Sequence, residues 1–154
     1  MTLIKEYITL ISALFTNTPD KPLKHVEMKY VLWPGYKLLC WAGLLIHRPG
    51  TIISGIDENH EDIHRQQAQI LGSYWKFYGR YLLEYLGNFF ILWSFDAAYD
   101  LISFEIQACG RENKMGYKVS PENMKLYKFS GREKRKLWKE WKNDWRKFCK
   151  GIEA

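Results

Sequence analysis

Apolar residues near the start of the chain recur at helical spacing. Leu3, Tyr7, Leu10, Ile11 and Leu14 share one face, so residues 1–20 read as an amphipathic helix, ended by the turn formers and two prolines of 16–22. The period then changes. Between 25 and 54, short apolar runs are punctuated by Pro34-Gly35 and Pro49-Gly50, which predicts a small antiparallel sheet of two or three short strands. From Asp57 onward a stripe through His60, Ile63, His64, Gln67, Ile70, Leu71, Tyr74, Trp75 and Tyr78 returns to helical spacing. It predicts one long helix from Asp57 to about Leu86, capped by Ser54 or Asp57 and ended by Gly87-Asn88.

Two more helices follow. Asp96 can cap one from Ala97 to about Asn113 that stops at Gly116, and Ser130-Gly131-Arg132-Glu133 has the form of a capping box opening a last helix over 131–150. The expected fold is α+β and mostly α. A single domain spans 1–154, with a small antiparallel sheet, a long central helix, a second helix and a basic C-terminal helix.

A chain of 154 residues can bury a core without covalent staples. Cys40, Cys109 and Cys149 are odd in number and widely spaced, which speaks against a disulfide framework or a thiolate zinc knuckle and for a reducing, cytoplasmic setting. Glu6 interrupts the apolar N-terminal stretch and no cationic region precedes it, so it does not read as a signal peptide. Glu84, Asp96 and Asp100 divide the most hydrophobic stretch, Leu82 to Phe104, so no transmembrane segment is expected.

The formal net charge of +6 is localised. Nine Lys/Arg face three acids between Gly131 and Lys150, which leaves fourteen of each sign elsewhere. In that segment Trp138, Trp141, Trp145 and Phe148 recur at three and four. Such a stripe suits an anionic surface, or it docks on the domain and leaves a cationic face in water. No nucleic-acid-binding motif accompanies it, so no nucleic-acid partner is expected and docking is preferred.

Candidate chemistry lies at the start of the central helix, in His60-Glu61-Asp62-Ile63-His64. Residues four apart lie one above the other on a helix, so both imidazoles can address one ion. Glu61, about 100° round the helix from His60, is placed to accept a proton from a water at that ion. Two histidines and Gln67 on an otherwise apolar stripe are polar groups turned inward, and such groups need partners.

A catalytic zinc uses three protein ligands and an open position. Glu84 follows His64 by twenty residues, roughly 30 Å along a straight helix, and is excluded. Glu105 is the candidate. It is the one charge on the stripe Ala98, Leu101, Ile102, Glu105, Ala108, Cys109, and a buried carboxylate must be paired, protonated or metal-bound. The alternative is an ion pair with Arg80 or Arg111.

HExxH on one helix, followed by Glu105-Ile106-Gln107-Ala108 on the next, resembles the gluzincin zinc metallopeptidases. Within them it is most similar to the CAAX-prenyl-protease pattern HExxH…ExxAD. The combination NHEDIH…FEIQA also resembles small uncharacterised bacterial zincin-like proteins. The first resemblance implies zinc on His60, His64 and Glu105, with Glu61 as general base. The likeness covers about a dozen residues and departs at Cys109, where the pattern has an Asp that orients a ligating histidine. Asp100 or Asn59 are possible substitutes, and Tyr99, Tyr117 and His47 are available donors for an oxyanion.

Two functions are therefore expected. One is a zinc-dependent metallopeptidase or hydrolase acting on a peptide or protein held along the 37–53 segment. The other is a non-catalytic binding protein on a degenerate zincin scaffold.

Overall fold

The computed structural model describes residues 2–30 and 38–153. Among these are seven helices and one three-stranded sheet, in the order α1 (Leu3–Thr16), β1 (Lys24–Glu27), β2 (Leu38–Trp41), β3 (Leu44–His47), α2 (Gly55–Leu71), α3 (Tyr74–Leu92), α4 (Phe95–Asp100), α5 (Ser103–Arg111), α6 (Gly131–Trp141) and α7 (Trp145–Ile152). The expected mostly helical α+β architecture holds. Its details depart from the periodicity in instructive ways.

The sheet is mixed. Its order is β1-β3-β2, with β2 antiparallel to β3 and β1 parallel to it. Ala42 and Gly43, both at positive φ (46° and 78°), make the tight primed turn that joins β2 to β3. Pro34-Gly35, one of the expected turns, lies outside the described residues.

Each long predicted helix is two helices. The central one breaks at Gly72-Ser73, where Gly72 (φ 84°) closes α2 in the left-handed conformation and the Ser73 hydroxyl accepts from Lys76 N–H to start α3. Leu101 and Ile102 separate α4 from α5, and Lys142 to Asp144 separate α6 from α7. Ser94, rather than Asp96, caps α4. The capping box at Ser130/Glu133 forms as the sequence predicts, and of the two caps expected for α2 it is Ser54 that serves, with Asp57 completing a second box. Past Gly87-Asn88 the helix runs on to Leu92, because the buried Asn88 amide donates to the Ala98 carbonyl and its oxygen accepts from Lys134.

Helix α1 shows the core a face other than its most apolar one. Ala13 and Glu6 are buried and Leu10 and Leu14 pack on the core, whereas Leu3, Tyr7 and Ile11 are exposed. Glu6 takes the inward position because its carboxylate accepts from the backbone N–H groups of Lys29 and Tyr30 (both 2.9 Å).

Three apolar clusters set the frame of the site. The largest joins the sheet, α2, α3 and the start of α5 through Leu44, Ile46, Ala68, Phe77, Ile102 and Phe104. A second, around Ile106, Cys109 and Cys149, receives Trp138, Trp145 and Phe148, so the C-terminal tryptophans do dock on the domain. A third packs Ile63 of α2 on Ala108 of α5. Between α5 and α7 the backbones approach closely: a Cβ on Gly110 would sit 2.6 Å from the Cys149 carbonyl oxygen.

Candidate metal centre

Helices α2 and α5 face each other along their polar positions. His60 and His64 project from the first turns of α2, and Glu105 projects from the first turn of α5, where a helix N-terminus suits a carboxylate. His64 and Glu105 are buried and His60 is nearly so. His60 Nε2 lies 3.2 Å from His64 Nε2 and 3.4 Å from Glu105 Oε2, and His64 Nε2 lies 3.2 Å from Glu105 Oε1. These three residues form a group that can hold a metal ion. Donors bonded at about 2.0–2.1 Å in a tetrahedron are about 3.3 Å apart, so the spacing fits a small first-row ion with little rearrangement.

The outer nitrogens fix which lone pairs face inward. His60 Nδ1 donates to Glu112 Oε2 (3.0 Å), and His64 Nδ1 donates to Gln67 Oε1 (2.9 Å). Gln67 is held in that orientation because its Nε2 donates to the Phe104 carbonyl and to Gln107 Oε1, and Gln107 in turn donates to the Asn123 carbonyl. With both Nδ1 atoms committed as donors, each neutral imidazole turns an Nε2 lone pair toward the same point as the carboxylate. Three converging acceptors call for a cation or a proton.

Without an ion, protons take that place. Burial pulls the His60 pKa down, but hydrogen bonds to Glu105 and Glu112 outweigh it and hold the imidazole well above its ordinary value. The same opposition of burial and Glu105 leaves His64 raised. Burial pushes Glu105 up, but the two histidines overcome it and hold the carboxylate well below its usual range.

Glu61 lines the two cavities that meet at the centre, and burial raises its carboxyl pKa. One cavity, of about 380 Å³, is lined mostly by ionisable residues, among them Asp57, Asp100, Glu112 and Arg146. The other, of about 560 Å³, is walled by Leu39, Trp41, Phe77, Tyr78 and Leu82. Strand β2, at one edge of the sheet, contributes Leu38 to both. Tyr81 donates to Glu105 Oε1 at 2.7 Å, and Tyr99 lies beside the same carboxylate on the wall of both cavities.

The sequence-derived set of His60, His64, Glu105 and Glu61 is thus brought together. The ion pairs considered for Glu105 are absent: Arg80 lies by Glu84, and Arg111 pairs with Glu153. Glu84 accepts from Ser103 N–H instead, supporting the start of α5. Of the three donors considered for an oxyanion, only Tyr99 is at the centre. Tyr117 lies by Gln107 and Arg111, and His47 neighbours His25 in the sheet. Cys109 sits in the second apolar cluster beside Cys149.

Neither Asp100 nor Asn59 supports a ligating histidine directly. Asn59 donates to the Glu112 carbonyl, and Asp100 stands on the cavity wall with its carboxyl pushed up to about 6 by burial and by the charges of Glu105 and Asp96. Sequence reasoning missed Glu112, although it follows Glu105 by seven residues, two turns along the same face. It also missed Arg146, which α7 brings within 3.2 Å of Glu112 Oε1.

Compared with known proteins, the chain matches no family model, no curated protein and no solved structure.

Proposed function

We propose that the protein is a zinc-dependent hydrolase that cleaves amide bonds in a peptide or protein, with His60, His64 and Glu105 as ligands and Glu61 as general base. The carrying observation is the convergence of three ligand atoms, 3.2–3.4 Å apart, with both imidazole Nδ1 atoms already committed as donors. Two nitrogens and one carboxylate oxygen are a donor set that zinc favours. Bound there, zinc would supply Lewis-acid polarisation and a water acidic enough to ionise near neutral pH.

The chain's own groups would do the rest. Glu61 borders both cavities, and its raised pKa suits a base that takes a proton from water and passes it to a leaving amine. Tyr99 and Tyr81, hydroxyls at the Glu105 carboxylate, are the donors nearest to a developing oxyanion. Strand β2 lies at an edge of the sheet among the described residues and lines the cleft, so an extended substrate can add to it as a further strand. Glu112 and Gln67 occupy the orienting role for which the sequence pattern has no Asp. Their presence favours a working centre over a degenerate scaffold.

The test pairs metal analysis with peptide cleavage. Wild-type protein expressed with zinc should contain about one ion per chain and cut an unstructured protein substrate. Glu61→Gln should keep the ion and lose the cleavage. Loss of the ion in that variant would overturn the assignment of roles.

A further inference from the structure

Two of the chain's three cysteines are brought together by the fold. Cys109 lies on α5 and Cys149 on α7, and both belong to the second apolar cluster, where the Cys149 thiol donates a hydrogen bond to the Cys109 sulfur. Helix backbone holds them there. Gly110, the residue after Cys109, leaves no room for a Cβ against the Cys149 carbonyl, so α5 and α7 meet at closest approach beside the two sulfurs. One turn away the same helices place Arg146 3.2 Å from Glu112, each three residues from its own cysteine.

The two thiols differ in access. Cys149 is fully buried, whereas Cys109 keeps 8% exposure and lines the smaller cavity beside the metal centre. The hydrogen bond from Cys149 favours a thiolate on Cys109 and holds its pKa below the ordinary thiol value, while the same bond and burial push Cys149 up. A reachable sulfur with thiolate character, next to a shielded second thiol, is the pairing of an attacking cysteine with its resolving partner. Cys40 differs on each count. It lies apart on β2, and burial of its thiol and the charge of Glu61 hold its pKa well above the ordinary value.

From this juxtaposition we propose that Cys109 and Cys149 are a reactive dithiol that hydrogen peroxide converts to a reversible disulfide. The Cys109 thiolate, its proton released to water in the cavity, attacks one peroxide oxygen and breaks the O–O bond. The departing hydroxide takes up a proton as water, and Cys109 is left as a sulfenic acid. The Cys149 sulfur then attacks the Cys109 sulfur, and its proton leaves with the sulfenic hydroxyl as a second water. Two thiols and one peroxide thus give one disulfide and two waters, with two electrons passing from sulfur to oxygen. The new bond ties α7, and with it Arg146, to α5. The inference is independent of what the metal centre does.

Peroxide treatment of the full chain, followed by thiol counting in denaturant, tests it. The count should fall from three to one with Cys40 as the survivor, peptide mapping should join Cys109 to Cys149, and dithiothreitol should restore all three. Closing the loop between the two cysteines restricts the unfolded chain, so the oxidised protein should melt about 5 °C or more above the reduced one. Cys149→Ala should halt the reaction at a Cys109 sulfenic acid that dimedone captures, and Cys109→Ala should leave Cys149 unmodified at the same peroxide dose. The wild-type measurement stands whether or not these buried positions tolerate alanine. Three thiols surviving peroxide, oxidation of Cys109 to sulfinic acid without a cross-link, or a bond to Cys40 would each overturn the proposal.

Discussion

His60 Nε2 and His64 Nε2 stand 3.2 Å apart, and each ring's other nitrogen already donates to an acceptor. Two neutral imidazoles so arranged oppose lone pair to lone pair, so the pair is stable only around a shared cation or proton. His60→Ala or His64→Ala should therefore remove the metal while leaving helicity largely intact. Elemental analysis with circular dichroism checks both parts.

Glu112 should matter nearly as much as a ligand. It is buried, orients His60, and is itself approached by Arg146. Glu112→Gln is expected to weaken metal affinity by about 10- to 100-fold, the usual loss when a histidine ligand's outer partner is impaired. Competition with a chromogenic chelator measures it. Arg146→Ala should act in the same direction and more weakly, since Arg146 is largely exposed.

For Glu105 the paired histidines set the outcome. Glu105→Gln should sharply reduce metal binding, and in chelator below neutral pH it should destabilise the fold by about 1–3 kcal/mol, because two protonated imidazoles lose their carboxylate. Thermal unfolding in chelator and metal stoichiometry read the two effects separately. Unchanged metal affinity would refute the ligand assignment.

The pH dependences of the metal-free and metal-loaded protein should run in opposite directions. His60 and His64 have raised pKa values in the folded, metal-free chain, so their stabilising effect is full below the unfolded imidazole value and is lost as pH rises through the folded values. Glu105 is lowered, so its contribution is present above the unfolded carboxylate value and is lost as pH falls through the folded one. Unfolding in chelator should thus show declining stability above neutrality. Metal affinity should rise over the same range, because the ion competes with those protons.

Two glycines should respond oppositely to alanine. Gly110→Ala pushes a methyl group into the Cys149 carbonyl and the Glu153 side chain, at a cost of about 1–3 kcal/mol and with loosened metal binding, since α7 carries Arg146. Gly87 lies in exposed helix with open space around it, and Gly87→Ala should stabilise by about 0.5–1 kcal/mol. Chemical denaturation of both variants tests the packing argument.

Much of the centre was legible because its signals are local. The i, i+4 histidines, the inward Gln67, the capping box at Ser130 and the lone charge on the α5 stripe all follow from spacing on one helix. The breaks were not legible. The apolar stripe stays in phase across Gly72-Ser73, so periodicity alone reads two helices as one. Contacts between distant segments also escaped: β1 pairs with β3 across some twenty residues, and Arg146 reaches Glu112 from another helix. Helix α1 misled for a different reason. Its inward face was decided by the two backbone N–H groups that Glu6 satisfies, not by side-chain hydrophobicity.

The proposed ligand set draws on α2 and α5, with forty residues between His64 and Glu105, and this separation bears on the order of folding. The β2–β3 hairpin closes over a two-residue turn and can form on a microsecond scale, whereas the union of α2 with α5 needs most of the intervening chain in place. An ion held by both helices stabilises contacts that are completed late. It should therefore slow unfolding far more than it speeds refolding, giving the loaded protein persistence beyond what its equilibrium stability alone would suggest.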